Sequence, residues 1–381
     1  MTSEFHTVLD RQNTGSSKWS RYEADVLPLW VADTDFATAK PIMDAIAERL
    51  AHPILGYAVP TDELRNVILK HLDKAYGWQV SPSALRFIGG VAPGFNVAVR
   101  ALVSPQKGLI VDRPIYGPIR NVASNWGLRR IDVDLLPNGS RWRYDLDRIE
   151  ELAPEADAIL LCNPQNPTGM RATEDELRRL ADIAIAHDLS IISDEVHCDL
   201  TLTDGRHIPI ARLSPEIAKR TITMMSASKT YNIAGLKTAF AVIEDESLRN
   251  RFLAAGEGVL DSLNPIGYTA TQAAYAHGEA WRGELVNYLK ANRDHLMGEM
   301  GRRFPKISVR APEATYLAWL DCSALGLDRP AQAYFLEKAK VGLSCGTEFG
   351  GAAMADHCRL NFGCPRSTLD EALSRMEASL P

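Results

Sequence analysis

Lys229 comes directly after Ser226-Ala227-Ser228, where the apolar run TITMM (221–225) gives way to SASKTYNIAGLK. A lysine at a strand end among small hydroxyl residues is either solvated at a turn or held inside as a nucleophile or base. The tetrapeptide alone leaves both readings open. Three further groups fall at comparable places. Asp194 ends the run LSIISDE, the turn NPQNPTG (163–169) follows AILLC, and Gly89-Gly90 interrupt FIGGVAPGFNVAVRAL (87–102) where a strand-like start becomes helical. A glycine turn at a helix N-terminus suits an anion, because free N–H groups and the helix dipole both favour negative charge. An amine, a carboxylate, an amide-rich turn and an anion loop together describe a site for a charged cofactor or substrate.

The elements that must position these groups are legible as a pattern. GLIVDRP (108–114), AILLCNP (158–164), LSIISDE (189–195) and TITMMSAS (221–228) are apolar enough to be strands buried on both faces. Between them, 174–188 has helical apolar spacing, with Thr173 as its N-cap. Such alternation predicts an α/β fold with a mainly parallel sheet covered on both faces, and polar groups gather at the C-terminal ends of its strands. After about residue 280 the character changes. A long helix, WRGELVNYLKANRDHLMGEMGRRF, precedes short strands at YLAWLD (316–321) and RLNFG (359–363), which predicts a smaller α+β domain.

Composition narrows the function classes. The chain has 381 residues, 46% hydrophobic and 24% charged, enough to build its core without staples. A net charge of −6 excludes a generic nucleic-acid or anionic-membrane surface. Cys162, Cys198, Cys322, Cys345, Cys358 and Cys364 lack CxxC spacing, as expected of reduced thiols in a cytoplasmic protein. The opening MTSEFHTVLDRQNTGSSKW is polar and unlike a signal peptide, and no apolar run has the length of a membrane span.

Taken together, LPLWVADTDF (27–36), Gly56-Tyr57, CNPQNPTG (162–169), ISDEVHCDL (192–200), SASKTYNIAGLK (226–237) and RLNFGCPR (359–366) resemble the fold-type I pyridoxal-phosphate enzymes of the aminotransferase class I/II superfamily. The NPxNPTG, SDE and SxSK motifs are superfamily-wide. The LPxWVADxDF opening and the HCDL after SDE are similar to the MalY/PatB-type, cystathionine β-lyase-like branch. The resemblance spans nearly the whole chain. It implies an N-terminal segment (1–44) packing with the small domain, a large cofactor-binding domain (45–279), and a small C-terminal domain (280–381).

The resemblance also implies roles. Lys229 would form a Schiff base with pyridoxal 5'-phosphate and then act as base at the substrate Cα. Asp194 would keep the pyridine nitrogen protonated; its bland alternative is a helix cap or surface pair. Asn166 would bond the ring hydroxyl oxygen, and His197 either bonds the same oxygen or stands behind it. Tyr116 would stack on the ring, or is an ordinary buried tyrosine. Val91 and Ala92 would bind phosphate through backbone N–H, joined by Ser226, Ser228 and Lys237. Many relatives have arginine at this last position, and a lysine lacks its fork. Arg359 would clamp the substrate carboxylate, with Arg366 as a structural competitor, and Pro164 and Pro167 shape their turn. Tyr57 would reach the cofactor phosphate of a neighbouring subunit, making a homodimer with shared active sites.

Thr34, Ile119 and Met170-Arg171-Ala172 depart from the family pattern near the expected side-chain pocket, which bears on substrate identity. The activity implied is a carbon–sulfur β-lyase acting on cystathionine or another cysteine-S-conjugate. The alternatives are an aminotransferase, a specialised biosynthetic enzyme of the same fold, and a non-catalytic regulator.

Overall fold

The computed structural model describes residues 4–380. Seven strands form the main sheet: β1 (Leu85–Ile88), β2 (Gly108–Arg113), β3 (Arg129–Asp134), β4 (Ala156–Cys162), β5 (Ser190–Asp194), β6 (Thr221–Met225) and β7 (Ala239–Val242). Their spatial order is β1-β7-β6-β5-β4-β2-β3. All neighbours are parallel except β7, which runs antiparallel to both β1 and β6. Alternate residues of each strand enter different cores, which is why the strands read as unbroken apolar runs. Leu160 and Ile192 pack with Phe95 on one face, and Ile159 and Ile191 pack with Leu177 and Leu180 on the other.

Two helices cover opposite faces of the sheet. One, α1 (Val91–Leu102), starts at Gly90, whose φ of +139° few residues other than glycine adopt; no side chain caps that end. The other, α2 (Glu174–Ala186), is opened by a full capping box between Thr173 and Glu176, worth about 1 kcal/mol. The predicted strands are found, but those predicted at 158–164 and 221–228 stop at Cys162 and Met225. Beyond those points the backbone turns to form the NPQNPTG and SASK loops.

A second, four-stranded antiparallel sheet follows the long helix α3 (Glu279–Arg303). It comprises β8 (Ser308–Val309), β9 (Leu317–Asp321), β10 (Ser344–Cys345) and β11 (His357–Asn361), in the order β8-β9-β11-β10. The start of the chain joins this part. Leu27–Pro28 pairs in parallel with Val341–Gly342, and Phe5, Leu29 and Phe36 share a core with Leu285, Phe335, Leu360 and Leu373. Among the described residues no helix is long and apolar enough to cross a membrane.

Candidate active site

Register explains how distant motifs meet. Cys162 lies beside Asp194, and Asp194 beside Met224, so the ends of β4, β5 and β6 form one edge. The NPQNPTG turn, Asp194 and the SASK loop leave the sheet there, and the N-terminus of α1 opens onto the same space. A cavity of about 380 Å³ results. Val91, Ala92, Tyr116, Asn166, Asp194, His197, Ser226, Ser228, Lys229, Lys237 and Arg359 all line it. Tyr57 does not: it lies in the loop 52–60 and is 98% exposed.

Of the charged groups around this cavity, Asp194 and Arg359 are buried, Lys229 is half-buried and Lys237 is exposed; among the described residues none of them forms an ion pair. The Lys229 amine donates to the Ala32 carbonyl at 2.7 Å. Burial first, and then Arg359, push its pKa down to about 8. Among the described residues the Asp194 carboxylate accepts only the Val196 N–H, at 3.1 Å, and burial pushes this carboxyl up to about 6. Arg359 donates to Asn166 Oδ1 (2.8 Å), the Trp30 carbonyl (2.6 Å) and Ser344 Oγ (3.1 Å), while its Nε has no partner. Burial brings this guanidinium down to about 10. Leaving such charges in a low-dielectric pocket costs free energy unless a ligand completes them.

The residues present fit a phosphorylated pyridine aldehyde. At the anion end are the uncapped first turn of α1, Lys237, and two serines with Ser226 Oγ held by the Thr238 carbonyl at 2.7 Å. Across the cavity Asp194 offers a carboxylate without a cation, and Lys229 offers an amine close to its own pKa at neutral pH. His197 is held neutral, its pKa drawn well below the usual value by burial and by Lys229 and Arg359. Its Nδ1 has no partner, and its ring meets Tyr316 edge-on at 5.8 Å. The Tyr116 hydroxyl is raised by burial and stays protonated. Arg366 lies elsewhere, bonded to Asn292 Oδ1.

Sequence reasoning read the segment 27–36 only as a family motif, with Thr34 near the side-chain pocket, and missed that its backbone borders the site and is held by residues 11–19. Val31 and Ala32 line the cavity. Arg11, Lys18 and Trp19, in what reads as an ordinary polar terminus, bond Asp33 or Asp35 of this loop. The available signal was the pair Asp33 and Asp35 in an otherwise apolar stretch, since buried carboxylates require cations.

Arg359→Gln should lower kcat/KM for an amino-acid substrate by about 10²-fold, because a neutral amide cannot replace a charge-assisted fork. Arg359→Lys should recover only part of the loss. Steady-state kinetics would settle it; a wild-type KM in either variant would remove Arg359 from carboxylate binding.

Known proteins give the same picture. The cystathionine β-lyase PatB of Bacillus subtilis (strain 168) is 34% identical over 97% of this chain and 98% of its own. The crystal structure of OvoB superposes with a TM-score of 0.94 at 40% identity, covering 99% of this chain and 98% of that one. The PLP-bound C–S lyase from Staphylococcus hominis superposes equally well, at 30% identity over 100% and 98% of the two chains. The model of aminotransferase class I and II matches residues 24–376, and the chain belongs to that family.

Proposed function

We propose that this protein is a pyridoxal-phosphate-dependent carbon–sulfur β-lyase acting on a cysteine-S-conjugate such as cystathionine. The observation that carries the reading is one cavity lined by a half-buried amine, a buried carboxylate and a buried guanidinium, none with an ionic partner among the described residues. The cofactor, when bound, supplies an electron sink for the pair left on the substrate Cα after its proton is removed. Lys229 takes that proton; its pKa of about 8 leaves part of the amine free at neutral pH. Arg359 binds the α-carboxylate and so fixes the direction of the Cα–H bond. Asp194 would hold a proton on the pyridine nitrogen, Tyr116 would pack its face on the ring, and Asn166 and His197 would border the ring oxygen. Val91, Ala92, Ser226, Ser228 and Lys237 would hold the phosphate.

With water, the conjugate yields a thiol, pyruvate and ammonium. Incubation of the pure protein with L-cystathionine alone should release pyruvate and homocysteine. Glutamate formation from an amino acid and 2-oxoglutarate, with no thiol from cystathionine, would overturn the lyase in favour of an aminotransferase.

The chain reads as a homodimer with shared sites. Tyr57 is accompanied by exposed Ile54 (66%), Leu55 (55%) and Val59 (81%), an apolar loop suited to cover by a second copy. Mixing inactive Lys229→Ala with an impaired Tyr57→Phe protein tests this. Heterodimers then carry one intact site and one doubly damaged site, so roughly a quarter of wild-type activity should return on subunit exchange. No recovery, with heterodimers confirmed by mass, would assign Tyr57 to its own subunit.

Of the division into 1–44, 45–279 and 280–381, the separation near residue 280 is supported by the sheets, one confined to 85–242 and the other to 308–361, whereas the boundary at 44 falls inside the helix Lys40–Ala51. A cytoplasmic location is supported by six free cysteines.

A further inference from the structure

The loop 30–36 is held through its carbonyl groups by side chains from both ends of the chain. From the cavity side, Trp30 O accepts from Arg359 and Ser344, and Ala32 O accepts from Lys229 and from the Tyr316 hydroxyl at 3.2 Å. Asn361 Nδ2 bonds Val31 O and Asp33 O, both at 2.7 Å. Asn232 Nδ2 bonds Thr34 O (3.2 Å) and Phe36 O (2.8 Å), and the Asp35 N–H donates to the Gly363 carbonyl at 2.9 Å. A further grip comes from residues 11–19, none of which lines the cavity. Lys18 is wholly buried, and its ammonium bonds Asp33 O (3.0 Å) and Asp35 Oδ2 (2.7 Å). Arg11 divides its guanidinium among Thr34 O (2.9 Å), Asp35 Oδ1 (2.8 Å), Asp33 Oδ2 (2.9 Å) and Ser16 Oγ (3.0 Å). Trp19 Nε1 adds a bond to Asp35 Oδ1, and Trp30 Nε1 returns one to the Lys18 carbonyl.

A buried ammonium is an expensive way to fix a loop that a hydrophobic side chain could pack. Its use here is directional. Lys18 and Arg11 address specific oxygens and so set where the neighbouring carbonyls Ala32 O and Trp30 O stand. Those two oxygens are the partners of the amine and the guanidinium assigned above to proton transfer and carboxylate binding. We propose that Arg11 and Lys18 are positioning residues for the reaction, fixing loop 30–36 so that its carbonyls orient Lys229 and Arg359. This proposal rests on the reading of Lys229 and Arg359 given under the proposed function.

Displacing a reacting group by about 1 Å costs on the order of 10²-fold in rate. In the holoenzyme, Lys18→Met and Arg11→Gln should therefore lower kcat and raise KM together, for a combined loss of about 10²-fold in kcat/KM. Arg11→Lys, which keeps the charge but not the fork, should lie between wild type and Arg11→Gln. Hydrogen–deuterium exchange should show the amides of 30–36 exchanging at least about tenfold faster, with strands β4 to β6 still protected. Wild-type kcat and KM in a variant whose loop has loosened would overturn the proposal, leaving a purely structural strap. An unchanged loop exchange rate would overturn it as well. Should Lys18→Met expose the main sheet, Arg11→Lys carries the test. Exchange does not depend on the substrate, so failure of the wild type to cleave cystathionine would count against the lyase reading alone.

Discussion

Lys229→Ala is expected to lower turnover by about 10⁴-fold or more, since it removes both the nucleophilic amine and the base at Cα. A small exogenous amine should restore a fraction of the rate, because the cavity left by the side chain adjoins the reacting carbon. Retention of wild-type turnover would remove Lys229 from the chemistry. Stability should move the other way in cofactor-free protein. The amine has a folded pKa of about 8 against an ordinary value of 10.5. Below pH 8 it is charged in both folded and unfolded chains, and the full cost of burying it is present. Lys229→Met should remove that cost, a gain of about 3 kcal/mol below pH 8. The gain should fade as pH rises from about 8 to 10.5, where the folded amine is already neutral. Urea melts across that range give the sign directly.

Asp194→Asn should reduce turnover by about 10³-fold, the loss typical of removing one preorganised charge-stabilising group. Asparagine retains an oxygen for the Val196 N–H but cannot hold a proton on a ring nitrogen. Near-normal rates in Asp194→Asn with cofactor bound would refute the pairing. Here too, function opposes stability. Burial lifts the carboxyl from 3.8 to about 6, so above pH 6 the folded chain carries an unpaired buried carboxylate. In cofactor-free protein the substitution should stabilise by about 3 kcal/mol above pH 6, fading as pH falls from 6 to 3.8. A loss of stability at pH 8 would show that the carboxylate is already compensated within the chain.

How much of this was legible in the sequence depended on the range of the interactions. Strands β2, β4, β5 and β6 announce themselves because burial on both faces demands unbroken apolar runs, and α2 because its periodicity and capping box are local. Strand-end placement then made Asp194, Asn166 and Lys229 readable as one site, since parallel strands in register deliver their C-terminal ends to one edge. The antiparallel course of β7 was not readable, because Ala239–Val242 is as apolar as the parallel strands of the same sheet and direction leaves no mark on composition. Nor was the partnership of Arg359 with Asn166, 193 residues apart, which exists only because the fold brings strand β11 against the NPQNPTG loop. Arg11 and Lys18 are the extreme case. In sequence they are two charges in a polar stretch; only the folding of residues 11–19 over loop 30–36 buries Lys18 and turns it into a support for the loop whose Ala32 carbonyl Lys229 meets. Local patterns encode which elements form and what chemistry they carry. Which carbonyl meets which cation is decided by packing between segments that the sequence keeps far apart.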